Sequence, residues 1–122
     1  MLFVTGGAYQ GKLEYVLERY RLTEDDVELC DAGKAPAFDR RILYHYENYI
    51  LYCAKNALRP VTAFSEDKIV IADDISCGVV PADPGTRAYR EAFGRAACEL
   101  TKNADEVVRV FCGLPLTLKE RA

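Results

Sequence analysis

The sequence predicts an α/β protein built on a mostly parallel sheet of about four to five strands, flanked by helices on both faces. Three observations carry this prediction. Residues 2–5 form an apolar strand pattern that runs into a glycine-rich loop and an amphipathic helix; residues 68–72 form a continuous apolar run; and strand and helix patterns alternate along the chain. With 122 residues, half of them hydrophobic, we expect one domain over residues 1–122.

The first strand ends in a loop, residues 6–12, that matches the pattern G-x-x-x-x-G-K. Glycines there let backbone N–H groups turn toward a phosphate, and the N-terminus of the next helix adds a positive dipole end. The stretch predicts a P-loop NTPase-like domain, with Lys12 on the β- and γ-phosphates of a bound nucleotide. The residues predicted to contact that nucleotide are Gly6, Gly7, Ala8, Gln10, Gly11, Lys12 and Leu13.

Leu13 departs from the phosphate-loop pattern. The position after the lysine is ordinarily Ser or Thr, whose hydroxyl ligates Mg²⁺, and a leucine side chain has no ligand atom. A plain glycine-rich turn between a strand and a helix is therefore the alternative interpretation of residues 6–12.

The middle of the chain predicts one short strand and one long helix. Residues 26–30 have a strand pattern that ends at Asp31, for which an Asx turn is favoured over contact with a ribose or Mg²⁺. Residues 39–58 have an apolar stripe at helical spacing. That predicted helix is rich in tyrosine, which favours a subunit contact and hence a homo-oligomer over a ligand-stacking surface; its tyrosines are Tyr44, Tyr46, Tyr49 and Tyr52.

The predicted helix also contains His45, the only histidine of the chain. A lone histidine on a helix usually has a surface or packing role, and that interpretation is favoured here. A catalytic role as a nucleophile or an acid–base group is the alternative.

Two adjacent carboxylates, Asp73 and Asp74, follow the apolar run at residues 68–72. Parallel strands present their carboxyl ends at the ligand-binding edge of an α/β sheet, so this pair is expected near residues 6–12. We predict that Asp73 and Asp74 hold Mg²⁺ and that Asp74 also serves catalysis, by activating an attacking hydroxyl. The alternative is that one of them only terminates the strand.

The third helix is predicted to begin at Pro84, with Asp83 as its N-cap, and to pack Tyr89, Ala92, Phe93, Ala96 and Leu100 inward. Residues 106–112 are predicted to form the last strand before a short charged tail.

The composition indicates which classes of partner and which location to expect. A net charge of −3 without a basic block makes nucleic acid an unexpected partner, and no apolar run approaches the ~18 residues of a membrane span. With no leader pattern at the N-terminus, we expect a cytoplasmic protein. Its five cysteines are widely spaced in apolar segments and are expected to be reduced thiols rather than metal ligands.

Four segments resemble the adenosylcobinamide kinase and adenosylcobinamide-phosphate guanylyltransferase family of cobalamin biosynthesis. They are FVTGGAYQGK at 3–12, IVIADDISCGVVP at 69–81, TRAYREAFGRAACELTKNADEVVRV at 86–110 and GLPL at 113–116. The resemblance implies a GTP- or ATP-binding enzyme that phosphorylates adenosylcobinamide, with Mg²⁺ as a cofactor. It also implies that Asp74 stands where the family has a glutamate, and that Gly78 and Pro81 keep the turn beyond it.

The resemblance leaves the role of His45 open. The family transfers GMP through a guanylylated histidine, and this chain is shorter than family members between its first helix and Lys68. If residues 39–46 correspond to the family's histidine helix, His45 lies near the nucleophile. If residues 39–58 are the helix just before the penultimate strand, the nucleophile has been deleted, and that placement is favoured. The alternative to an enzyme is a catalytically degenerate nucleotide-binding, regulatory or structural homologue.

Overall fold

A computed structural model describes residues 1–75 and 84–121, with Pro84 described for its backbone alone. The described chain forms a six-stranded sheet in the order β2-β3-β4-β1-β5-β6. Its elements are β1 (Leu2–Gly6), α1 (Lys12–Tyr20), β2 (Val27–Leu29), β3 (Ile42–Tyr44), α2 (Tyr46–Lys55), β4 (Ile69–Asp73), α3 (Pro84–Asn103), β5 (Glu106–Phe111) and β6 (Leu114–Lys119).

The sheet is parallel from β2 through β5, and only β6 is antiparallel to its neighbour β5. The predicted α/β class with a mostly parallel sheet is confirmed, but the described sheet has six strands rather than four to five. β1 lies between β4 and β5, so the loop after β1 and the residues after β4 meet at one edge.

Alternate side chains of each central strand pack on opposite faces, because successive residues of a strand point to opposite sides. Phe3, Val70 and Leu43 are buried on the face covered by α2 and α3. Val4 and Ile71 are buried on the other face, where α1 contributes Val16. The sheet is thus covered on both faces, as the continuous apolar pattern of β4 predicted.

The predicted helix over residues 39–58 is wrong in its first half. Residues 42–44 form β3, and α2 begins only at Tyr46. Ile42 and Leu43 are buried on opposite faces of the sheet, although their spacing also fits a helical stripe. β3 has only three residues and leads directly into α2. So few residues do not distinguish the alternation of a strand from the periodicity of a helix.

The predicted tail after residue 112 is also wrong, since Leu114–Lys119 is strand β6. It pairs with β5 through a tight turn at Cys112 and Gly113, both of which have positive φ. Leu114, Leu116 and Leu118 stay exposed on this edge strand, so it lacks the buried face that makes a strand recognisable from its pattern.

The tyrosines at residues 44–52 are accounted for largely within the subunit. Tyr46 and Tyr49 are buried in the core under α2 and α3, where the Tyr46 hydroxyl donates to the Val61 carbonyl. Tyr52 packs against the same core, and Tyr44 belongs to β3. The tyrosines therefore give no separate support to a homo-oligomer, which stays a prediction.

The other predicted elements agree with the structure to within one or two residues at each end. Asp31 Oδ1 accepts the Gly33 N–H at 2.7 Å, which is the expected Asx turn. α3 buries Phe93, Ala96 and Leu100 as predicted, with Tyr89 and Ala92 half-buried beside them. The predictions for Cys77, Gly78, Pro81 and Asp83 lie outside the described residues.

The described cysteines, Cys30, Cys53, Cys98 and Cys112, are free thiols. None of the helices, over the residues that the structure describes, has the length and apolarity needed to span a membrane.

Candidate functional site

The loop between β1 and α1 has a backbone that requires glycine at one position and favours it at another. Gly6 has φ +146°, and a Cβ there would lie 2.4 Å from the Val110 carbonyl oxygen of β5. Gly11, with φ +86°, is the N-cap of α1, and its carbonyl accepts the Tyr15 N–H at 3.0 Å. The glycines thus let β1 pass close to β5 and turn directly into the helix, as the phosphate-loop pattern predicted.

Gln10 fastens this loop to the turn between β5 and β6. Its side-chain Oε1 accepts the Cys112 N–H at 2.6 Å, and its carbonyl accepts the Gly113 N–H at 2.8 Å. Both contacts are to protein backbone. The structure therefore gives Gln10 the role of holding the loop in shape, whereas the sequence suggested only contact with a nucleotide.

Lys12 lies in the first turn of α1 with 4% of its surface exposed. Its Nζ donates to the Gly7 carbonyl at 2.6 Å and is 2.7 Å from Asp73 Oδ1 at the end of β4. A buried ammonium group needs such partners because it has given up its hydration. The lysine is thus held at the mouth of the loop, and an anionic ligand there would have to compete with Asp73 for it.

Asp73 also contacts a second pair of side chains, His45 and Glu47. His45 Nδ1 lies 2.9 Å from Glu47 Oε2 and 3.8 Å from Asp73 Oδ2. Glu47 Oε1 accepts the Asp73 backbone N–H at 3.0 Å, and Glu47 is only 6% exposed. The end of β3, the start of α2 and the end of β4 therefore bring three titratable side chains together beside Lys12.

His45 reaches this position through an unusual backbone conformation. Its φ of 57° lies in the left-handed region, where it links β3 to α2 as the N-cap residue. Its ring stacks on Tyr44 with the centroids 4.0 Å apart. Burial raises the pKa of the Tyr44 hydroxyl, and the Asp73 carboxylate raises it further, so Tyr44 stays a neutral wall of the site.

These residues surround a pocket of about 410 Å³ at the carboxyl edge of the sheet. Its lining is formed by Ala8, Tyr9, Gln10, Gly11, Lys12, Glu14, Tyr44, His45 and Asp73. The structure thus brings together most of the residues predicted for the site, and it adds Tyr9, Glu14 and Tyr44 to them.

Two of the predicted residues have surroundings that differ from the others. Leu13 packs against the apolar cluster on the α1 face, so its side chain supports the helix. Asp74 follows β4 directly, is half-buried, and donates its backbone N–H to the Gly6 carbonyl at 2.8 Å. Asp73 provides the carboxylate beside Lys12, and His45 lies beside the carboxylates of Glu47 and Asp73.

Sequence reasoning missed Glu47. An acid in the first turn of a helix that follows a parallel strand is the signal that could have found it. That signal was hidden because residues 39–58 were interpreted as one continuous helix, in which Glu47 would be an ordinary surface residue.

Strand, glycine loop and helix, with a lysine at the helix start and an acid on the adjacent strand, define a P-loop-like α/β protein. The model of the family described as cobinamide kinase / cobinamide phosphate guanyltransferase matches residues 37–118, more than half of the chain. The chain belongs to this family. The match includes His45, Glu47, Asp73 and Asp74, and it begins after residues 6–12. A comparison with curated proteins gave no match.

Proposed function

We propose that this protein binds GTP or ATP on residues 6–12 and transfers the terminal phosphoryl group to a hydroxyl of adenosylcobinamide. The observation that carries the proposal is the contact between Lys12 Nζ and Asp73 Oδ1, at 2.7 Å, in the mouth of a glycine loop. A lysine at a helix N-terminus offers charge to the β- and γ-phosphates, and the loop N–H groups add to it. The family match supports the choice of acceptor.

In this proposal the acceptor hydroxyl attacks the γ-phosphorus, the bond to the β–γ bridging oxygen breaks, and the nucleoside diphosphate leaves. Phosphoryl transfer needs positioning and charge stabilisation more than covalent chemistry. Lys12 would exchange Asp73 for the phosphates. Asp74, at the same edge of the sheet, would accept the proton of the attacking hydroxyl.

The family's use of nucleotides implies a divalent ion, Mg²⁺ in the simplest case. The donor set supports one even though Leu13 has no ligand atom, because Asp73 offers carboxylate oxygens beside Lys12 and Asp74 follows it at the same edge of the sheet. An ion held there would neutralise part of the charge of the phosphates.

We do not extend the proposal to guanylyl transfer. His45 directly precedes α2, and α2 is the helix that comes before β4 in the chain. That order supports the placement in which the family's histidine nucleophile belongs to the segment that this chain lacks.

A second candidate function is nucleotide binding without turnover. Leu13 favours binding without turnover, because it replaces the hydroxyl that ordinarily ligates the ion, whereas the loop amides and Lys12 remain in place. Such a protein would sense or sequester a nucleotide.

Calorimetric titration with GTP and with ATP, each with and without Mg²⁺, tests the proposal. We expect Lys12→Ala to weaken nucleotide binding about 10-fold or more, since it removes a charge-assisted phosphate contact. Lys55→Ala is the matched control, because Lys55 is an exposed lysine at the end of α2. Absence of binding to the folded protein would overturn the proposal. Incubation with adenosylcobinamide then separates the two candidates, since only the first yields phosphorylated product.

A further inference from the structure

The cluster of His45, Glu47 and Asp73 has the chemistry of a metal site. Each residue offers one ligand atom, and these atoms all lie within 4.8 Å of one another. Ligands bonded at about 2.1 Å to one ion are about 3.0 Å apart at right angles and at most about 4.2 Å apart. The His45–Glu47 and His45–Asp73 distances, 2.9 and 3.8 Å, fall in that range, and the third pair, Glu47 and Asp73, lies within 4.8 Å.

We propose that His45, Glu47 and Asp73 form a binding site for a divalent transition-metal ion such as Mn²⁺, which they hold without a nucleotide. An imidazole nitrogen suits transition metals, whereas Mg²⁺ is held almost entirely by oxygen. One nitrogen and two carboxylate oxygens therefore favour Mn²⁺ over Mg²⁺. The site shares Asp73 with the pocket of the proposed function, but it does not depend on that function.

The charges around the cluster favour a cation. Two carboxylates, from Glu47 and Asp73, lie together at the end of β4, and the contact of Lys12 with Asp73 uses Oδ1. Asp73 Oδ2 is the oxygen that faces His45. A metal ion on Oδ2 is thus compatible with the lysine contact on Oδ1.

The three ligands are also held in place by different elements, which reduces the cost of assembling the site. The left-handed backbone at His45 and the ring of Tyr44 orient the imidazole. The Asp73 N–H fixes Glu47 Oε1, so that Oε2 is directed to His45.

Mn²⁺ titration of the nucleotide-free protein, followed through the electron paramagnetic resonance of the free ion, tests the inference. Mn²⁺ is the chosen probe because Zn²⁺ would also bind the exposed thiols Cys98 and Cys112. We expect one Mn²⁺ site that Mg²⁺ competes for only at about 10-fold or higher concentration. Weak binding with no preference over Mg²⁺ would overturn the inference.

The deciding variant is His45→Gly, because glycine tolerates the left-handed backbone and removes the imidazole altogether. We expect its Mn²⁺ affinity to fall about 10- to 100-fold, the usual loss when a metal site is damaged. Glu18→Gln is the control, since it removes one exposed charge of α1 outside the pocket and should change affinity less than about 3-fold. Equal affinity in His45→Gly would contradict the site.

Nuclear magnetic resonance gives an independent readout. His45 is the only histidine, so the protein has one set of imidazole signals. Paramagnetic Mn²⁺ bound at Nδ1 should broaden these signals beyond detection at substoichiometric ratios, and diamagnetic Mg²⁺ should not. Sharp imidazole signals in the presence of bound Mn²⁺ would assign the ion to another place. Failure of nucleotide binding would leave all three results unaffected.

Discussion

Lys12 Nζ and Asp73 Oδ1 lie 2.7 Å apart, and they join the first turn of α1 to the end of β4. The side chain of Lys12 is 3% exposed and that of Asp73 is 19% exposed, so the pair is shielded from water on most sides. The contact connects two elements that face the same pocket, and it holds the start of α1 beside the end of β4.

Removing either charge should destabilise the protein more than removing both. Breaking a shielded ion pair leaves the remaining charge without its partner, which costs about 2 kcal/mol or more when the survivor is buried. In a cycle of Lys12→Met, Asp73→Asn and the double variant, we expect a coupling energy of about 1–3 kcal/mol. Urea unfolding in nucleotide-free buffer measures it, and additive effects of the two substitutions would contradict the pairing.

Two glycine-to-alanine substitutions should change stability in opposite directions. Gly6→Ala would force a Cβ to 2.4 Å from the Val110 carbonyl oxygen at φ +146°, so we expect a loss of about 3 kcal/mol or more. Gly94 lies inside α3, and a Cβ there meets no atom within 4 Å. Gly94→Ala should therefore stabilise by about 0.5–1 kcal/mol, because alanine favours the helix. Thermal unfolding of both variants tests whether Gly6→Ala lowers the stability and Gly94→Ala raises it.

Stability should decline in alkaline solution because of the thiol of Cys30. Burial raises its pKa from 9.0 to about 12, and the carboxylates of Glu28 and Glu47 add to the effect. The unfolded chain releases the thiol proton near pH 9, whereas the folded chain retains it until about pH 12. The contribution of Cys30 is therefore complete below pH 9 and is lost progressively between these values.

Linkage converts this shift into a loss of about 2 kcal/mol between pH 9 and pH 10.5. Urea midpoints at pH 8 and pH 10.5 measure it. Cys30→Ala should show a smaller decline in stability over the same interval. Part of the decline will remain in this variant, because burial also raises the pKa values of Tyr46 and Tyr49. An equal decline in Cys30→Ala would show that the thiol is not protected.

Much of the fold was predictable because its central elements have strong local patterns. β1 and β4 are apolar runs buried on both faces, β5 is mostly apolar, and α1 and α3 have clear helical stripes. β3 and β6 were missed because the first is three residues long and the second buries little apolar surface. Local periodicity carries too little information in such segments, and pairing with neighbouring strands decides their structure.

The site was predictable where its residues follow the ends of the long elements. Lys12 was predicted for the site from the glycine pattern and Asp73 from its place after β4, since residues that follow parallel strands lie at the same edge of the sheet. Glu47 was hidden with β3, because its place in the site depends on where α2 begins. The contact of Gln10 with Cys112 joins residues 102 positions apart, and a sequence pattern does not contain such a contact.

The strand order also indicates which segment of the chain tolerates insertions, whether they arise in evolution or by engineering. β1 is enclosed by β4 and β5, while β2 is a three-residue outer strand followed by the connection at residues 30–41. Within that connection Cys30 and Phe38 pack in or against the core, whereas residues 33–35 are exposed. Lengthening the chain at residues 33–35 alters the rim of the sheet and leaves the spacing of Lys12 and Asp73 untouched, so these residues are the natural insertion point for an added segment or a reporter peptide.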